Sequence, residues 1–181
     1  HYTREIPVSQ IAGKRACVLG LGTIGRNVAI RLYHMGIHVA AVDAQVTVPP
    51  EGVDELFSPD SMHPAMEKSD FVVVALPLTD ATRELVDASC FISMPAHSFL
   101  VNVARGPVVK ETDLIDALGS GAIAGAGLDV YDEEPLPSES PLWDMPNAVI
   151  TPHLGGKSAE GYKNMREIFC ENLRRYVRGL P

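Results

Sequence analysis

Three polar side chains carry the chemistry this chain could do, and each follows an apolar run. Arg105 comes after Val101-Asn102-Val103, Glu134 lies in the loop after Ala126-Gly127-Leu128, and His153 comes after Val149-Ile150-Thr151. A guanidinium can fork onto a carboxylate and polarise the carbonyl beside it. An imidazole can give or take an oxygen's proton near neutral pH. A carboxylate next to that imidazole favours its charged form and fixes its tautomer. The set suits hydride transfer on a 2-oxo or 2-hydroxy acid. Residue types alone leave another reading open: a surface salt bridge, a solvated acidic loop and a turn histidine.

The elements that must position these residues begin at Gly20-Leu21-Gly22-Thr23-Ile24-Gly25. A short apolar strand (17–19) precedes these glycines. An amphipathic helix from Thr23 to a stop at Gly36 follows, then a second apolar run ending on Asp43. Glycines in this spacing are a weak signal alone; inside a strand–helix–strand unit of roughly thirty residues closed by an acid they form a dinucleotide fingerprint. Gly20 allows the tight turn, Gly22 lets backbone approach a pyrophosphate, and Gly25 lets the helix pack on the strand. The helix N-terminus offers free N–H groups and a positive dipole end to the phosphates. Asp43 is placed to accept from ribose hydroxyls and to repel a 2′-phosphate, so the expected cofactor is NAD rather than NADP.

Further along, continuous β-branched content predicts buried parallel strands at 71–76 and 98–103, a glycine-spaced strand at 122–130 and a last one at 148–150. Between them the pattern predicts a loop-rich, proline-containing 46–66 with a short helix opening at Ser58-Pro59. It also predicts two short helices in 82–94, and a helix at 112–118 capped by Gly119. The tail at 158–179 reads as one helix, with Tyr162, Met165, Phe169, Leu173, Tyr176 and Leu180 on one stripe. Strands alternating with helices give an α/β fold, a doubly wound parallel sheet of Rossmann type with a C-terminal amphipathic helix. The expected division is a linker at 1–12, the dinucleotide domain at 13–156 and the helix at 157–181. In such sheets ligands bind outside the carboxyl ends of the strands, the side on which Arg105, Glu134 and His153 all fall.

Composition narrows the class. A net charge of −8 argues against a nucleic-acid surface. No apolar run is long enough for a membrane span. Cys17, Cys90 and Cys170 are an odd, widely spaced set, so free thiols in a reducing cytoplasm are expected, with Cys17 a core residue. His1, His34, His38, His63 and His97 lack metal-ligand spacing, and no metal is expected. Trp143 reads as a packing anchor for the acidic loop 131–146.

Taken in order, these stretches resemble the cofactor-binding domain of the D-isomer-specific 2-hydroxyacid dehydrogenases. The resemblance is carried by Gly20 to Gly25, Leu76-Pro77-Leu78-Thr79, Val101 to Gly106, Leu128-Asp129-Val130-Tyr131 through Glu134-Pro135, and Pro141-Leu142-Trp143 through Thr151-Pro152-His153-Leu154-Gly155-Gly156. It implies Arg105 as substrate-carboxylate binder, His153 as general acid/base and Glu134 as its partner. It implies Thr23 and Ile24 on the pyrophosphate, Asp129 near the nicotinamide carboxamide, and Leu76, Pro77, Thr82, Val103, Ala104, Gly155 and Gly156 along the cofactor. Glu134 argues against the formate-oxidising branch, which carries Gln there. Pro95-Ala96-His97 and Lys110 depart from the family's usual Lys-x-Gly and Asp.

The resemblance also implies a homodimer, a small 2-hydroxy or 2-oxo acid substrate, and a substrate domain built largely from residues ahead of the dinucleotide fold. Only about fifteen residues precede the first strand here, so the chain reads as a truncated product, an excised domain or half of a split protein. It is expected to bind NAD and to turn over poorly alone. A co-repressor-like NAD(H) sensor and a phosphite dehydrogenase are the other functions the same resemblance allows.

Overall fold

The computed structural model describes residues 9–180; most of the expected linker lies outside them. Its centre is a seven-stranded sheet, all neighbours parallel, in the order β3-β2-β1-β4-β5-β6-β7. The strands are β1 (Arg15–Leu19), β2 (His38–Val42), β3 (Glu55–Phe57), β4 (Phe71–Val74), β5 (Phe99–Asn102), β6 (Gly125–Leu128) and β7 (Ala148–Ile150). The helices are α1 (Thr23–His34), α2 (Met62–Met66), α3 (Ala88–Ser93), α4 (Glu111–Ser120) and α5 (Ala159–Val177). From β1 the chain winds outward through β2 and β3, then returns to lay β4 on the other side. That reversal opens a crevice between the carboxyl ends of β1 and β4.

Side-chain alternation splits the core into two layers. Cys17, Leu19, Val72, Val74 and Leu100 face α2, α3 and α4 around the fully buried Phe91 and Leu114. Val18, Val39, Ala41 and Val73 face α1, where Ala29 makes close contact. Register then aligns the edge that matters. Phe57, Val42, Leu19, Val74, Asn102, Leu128 and Ile150 are paired side by side across all seven strands. The residues that follow them, Asp43, Gly20, Ala75, Val103, Asp129 and Thr151, therefore leave the sheet along one line.

Four expectations are corrected. β3 is absent from the sequence reading; its three residues are only partly buried and gain their place through main-chain pairing with β2. The segment 82–94 holds one helix, not two. Val86 pairs with Val109 in a parallel bridge, and Asp87 then caps α3 by accepting from the Ser89 and Cys90 N–H groups. α4 runs through Gly119 and stops at Gly121, whose φ of 73° is the left-handed conformation a helix end favours. Ser58 precedes a 3-10 turn (Pro59–Ser61) that runs into α2, without a side-chain cap.

The last helix is as expected in extent, and Ser158 caps it, its Oγ accepting from Gly161 N–H at 2.9 Å. None of its residues is buried, and Tyr162, Met165, Phe169, Leu173, Tyr176 and Leu180 are each at least half exposed.

Candidate functional site

The glycine corner is built by close approach. Gly20 has φ 94°, and a Cβ on it would meet the Ala75 carbonyl oxygen at 2.9 Å. A Cβ on Gly25 would overlap the Gly20 carbonyl oxygen, so α1 approaches the end of β1 this closely only because position 25 is glycine. Gly22 is different: a Cβ there meets nothing within 4 Å, because it faces the open crevice. It is the N-cap of α1 and no side chain caps it. The first-turn N–H groups therefore remain available to an anion. A cleft of about 600 Å³ opens here, lined by Gly22, Thr23 and Ile24 on one side and by Leu76, Pro77, Val103, Ala104 and Arg105 on the other. This open glycine, uncapped helix end and apolar walls are what a dinucleotide's pyrophosphate and rings require. Gly20 and Gly25 stand behind the cleft and shape it.

Asp43 is held rather than loose. Its Oδ2 accepts from Leu21 N–H at 2.7 Å, and its Oδ1 from the N–H groups of Gln45 and Val46 at 2.8 and 2.9 Å. Burial pushes its carboxyl up, but these three donors and the charge of Arg26 outweigh burial and keep it below the usual carboxylate range. An ionised acid thus sits at the tip of β2 and is tied to the glycine loop. Thr82 serves the neighbouring turn: its hydroxyl donates to the Pro77 carbonyl at 2.6 Å and accepts from Thr79 N–H at 2.8 Å.

Arg105 leaves β5 with an extended backbone, its Nη1 donating to the Ala104 carbonyl at 2.6 Å. Asn102, buried at the end of β5, aims this loop. Its Oδ1 accepts from Ala104 N–H at 3.1 Å and its Nδ2 donates to the Arg105 carbonyl at 3.3 Å. Gly106 lets the loop lie against the backbone of Tyr131 and Asp132, where any Cβ would overlap the Tyr131 carbonyl. The Arg105 loop and the Glu134 loop are therefore in direct contact. Asn102 and Gly106 stand in the sequence reading only inside the stretch Val101 to Gly106, with no role of their own; a polar residue ending an apolar strand was the available signal for the first.

Glu134 and His153 meet. His153 Nδ1 lies 2.7 Å from Glu134 Oε2. With the glutamate ionised, Nδ1–H donates and Nε2 is left free of that bond. Burial raises the Glu134 carboxyl, but the His153 bond, a 3.2 Å bond from Tyr131 N–H and the charges of His153 and Arg105 hold it below its ordinary value. Arg105 is thus within electrostatic reach of the pair. Both side chains are more than a third exposed, and they border an apolar cavity of about 670 Å³ walled by Pro135, Leu136, Trp143, Ile150 and Pro152. Trp143 is about half exposed rather than packed into the core, and its Nε1–H donates to the Pro137 carbonyl at 2.8 Å within the acidic loop.

Asp129 turns toward the His153 loop. Its Oδ1 accepts from Thr151 Oγ1 at 2.5 Å and Leu154 N–H at 2.9 Å, and its Oδ2 from Gly155 N–H at 2.8 Å. Gly156 faces open space. Two family departures have local partners, His97 Nε2 lying 3.2 Å from Asp70 and Lys110 Nζ 3.1 Å from Asp113. Among the described residues no three acidic, thiol or imidazole groups gather as a metal site, and no helix is long and apolar enough to cross a membrane.

Known proteins resemble this chain in sequence and fold. A glyoxylate/hydroxypyruvate reductase B of Citrobacter koseri is 39% identical over 158 residues, 86% of this chain and 48% of that protein. The human glyoxylate reductase/hydroxypyruvate reductase is 37% identical over 164 residues, 91% of this chain and 50% of that protein. The chain spans about half the length of these curated relatives. A D-isomer specific 2-hydroxyacid dehydrogenase from Xanthobacter autotrophicus Py2, solved with NADPH and MES, superposes with a TM-score of 0.88. It is 40% identical, over 100% of this chain and 72% of that one. Residues 1–155 match the NAD binding domain of the D-isomer specific 2-hydroxyacid dehydrogenases. With the glycine corner, the Arg105 loop and the Glu134–His153 pair set on one sheet edge, the chain belongs to that family, as its NAD-binding domain.

Proposed function

We propose that this domain serves an NAD-dependent oxidoreductase that interconverts 2-hydroxy and 2-oxo acids. The observation that carries the reading is the 2.7 Å Glu134–His153 pair, set on the same sheet edge as the cleft bordered by Gly22 and Arg105. When bound in that cleft, the nicotinamide supplies or accepts the hydride. Arg105 binds the substrate carboxylate and draws electron density from the adjacent carbonyl. His153 gives its Nε2 proton to the oxygen during reduction and takes it back during oxidation. Glu134 stabilises the charged imidazole and keeps Nδ1 protonated. Asp43, ionised and beside the ribose position, favours NAD over NADP by repelling a 2′-phosphate.

Glyoxylate, hydroxypyruvate, pyruvate and phosphoglycerate-type acids fit this chemistry, since Arg105 and His153 read only the shared carboxylate and carbonyl. A separate lid-bearing half must shield the nicotinamide from water for efficient turnover. Support comes from the relatives' greater length and from the bare α5 stripe. Pairing through the cofactor domain as a homodimer belongs to the same reading, as does a cytoplasmic setting with free thiols.

His153→Ala in the full-length protein tests this. Turnover on a 2-oxo acid falls by about 10²–10⁴-fold, as for loss of a general acid, while NAD affinity holds. Wild-type protein that binds NAD(H) but reduces no 2-oxo acid would instead make the domain an NAD(H) sensor.

A further inference from the structure

The cavity beside His153 is larger and more apolar than the proposed reaction requires. A carboxylate on Arg105 and an oxygen on His153 account for the reacting part of a 2-oxo acid, and neither needs a hydrophobic wall. The cavity nonetheless holds about 670 Å³, inside the span of roughly 300–1,000 Å³ that small-molecule sites occupy. Its walls follow from local structure. Leu142, fully buried, roots the 3-10 turn Pro141–Asp144, and its N–H donates to Ser140 Oγ at 3.4 Å. The next residue, Trp143, is the chain's one tryptophan and stands at the cavity wall 54% exposed, its Nε1–H held by the Pro137 carbonyl. Ile150, the last residue of the edge strand β7, is only half-buried. Tyr131 brings no free polar group, because its hydroxyl is committed to the Leu128 and Thr151 carbonyls at 2.9 and 2.8 Å. The charged groups on the border are the Glu134–His153 pair and Lys157, which is exposed.

We propose that this cavity is a specificity subsite: it takes the substituent on C2 of the 2-oxo acid and selects a bulky apolar one, aromatic or branched, over the hydrogen of glyoxylate. The inference rests on the reading of His153 as the acid/base group and adds to it the class of acid. Arg105 borders the cofactor cleft and His153 borders the cavity, so the two spaces flank the pair of side chains that grip the substrate. With its carboxylate and its carbonyl both held there, the substrate has one group left to enter the cavity. Apolar walls hold water poorly, since a water needs two to four polar partners. A small substituent leaves such walls bare, whereas a large one covers them, and each methylene so buried is worth about tenfold or more in kcat/KM. The indole of Trp143 offers an aromatic substituent a ring to pack on.

A single tryptophan at the wall makes the subsite readable in two arms. In this chain, Trp143 emission is followed during titration with 3-phenylpropanoate, and with propanoate as the control. The first gives a saturable blue shift, and propanoate at the same concentrations leaves the emission as it was. In the full-length protein, kcat/KM for phenylpyruvate exceeds that for glyoxylate by at least tenfold. Trp143→Ala lowers this ratio at least tenfold, and Trp143→Phe, which keeps a ring at the wall, preserves most of it. No saturable emission change, or a ratio that Trp143→Ala does not move, overturns the subsite. An equal loss on both acids also overturns it, as the mark of a wall that the lid-bearing half covers. Saturable emission change in a protein whose wild type reduces no 2-oxo acid upholds the cavity as a site for apolar acids and sinks the proposed reaction.

Discussion

At the scale of single residues, charge and burial decide what each group can do. Glu134 is kept ionised by His153 and Arg105 against the opposing effect of its burial. Glu134→Gln in the full-length protein retains a hydrogen-bond partner for Nδ1 but not the countercharge. Turnover is therefore expected to fall by more than tenfold with NAD affinity unchanged, measured by steady-state kinetics beside a binding titration. The thiols divide by burial. Burial pushes the Cys17 thiol up to about 12 and raises that of Cys90, whereas Cys170 is partly exposed. Alkylation at pH 8 should label Cys170 in the native chain and reach all three thiols only after denaturation, read by mass spectrometry. Arg105 and His153 were legible in sequence because each polar type follows an apolar run, and Glu134, inside an acidic loop, only through the family resemblance. Asn102, Tyr131 and Thr151 were not, because they act by hydrogen bonds between segments 20 or more residues apart or by aiming a loop, which periodicity does not encode.

At the scale of elements, the two glycines of the corner have separable roles. Gly25→Ala drives a Cβ into the Gly20 carbonyl and should lower stability by about 1–3 kcal/mol, as overpacking does, with NAD binding lost as well. Gly22→Ala meets no atom within 4 Å, so its stability should stay within about 0.5 kcal/mol while NAD affinity drops. Chemical denaturation and a binding titration on the same two samples separate them. Long apolar strands and amphipathic helices were legible, since β1, β4, β5 and α1 carry their burial in their own composition. β3 was not: Glu55–Phe57 is short, half-buried and defined by the main chain of β2. Two glycines two positions apart hid the end of α4. A glycine inside a helix costs about 1 kcal/mol, whereas the left-handed turn at Gly121 strongly favours one.

At the scale of the whole molecule, stability should depend on pH through a shared set of acids. Asp43, Asp70, Asp129, Glu55 and Asp87 all have carboxyls held below their ordinary values, by backbone N–H donors, Ser89, Lys14, Arg15 and nearby histidines. A depressed folded-state pKa contributes stability that is complete above the unfolded value, about 4, and is lost as pH falls through the folded values. Thermal melts should hold steady from pH 7 to 5 and drop below pH 4; a melt unchanged at pH 3 would refute the coupling. The doubly wound sheet was legible from its alternation of strands and helices.

The central claim is that the glycine corner and His153 serve one bound dinucleotide. Titrating NAD into the isotopically labelled chain, with the amides of Thr23, Ile24 and Gly25 and the His153 ring observed together by NMR, tests it most directly. Saturable shifts at both places with one shared Kd are the predicted result. A corner that does not respond, or one that saturates while the His153 ring stays still, would contradict it.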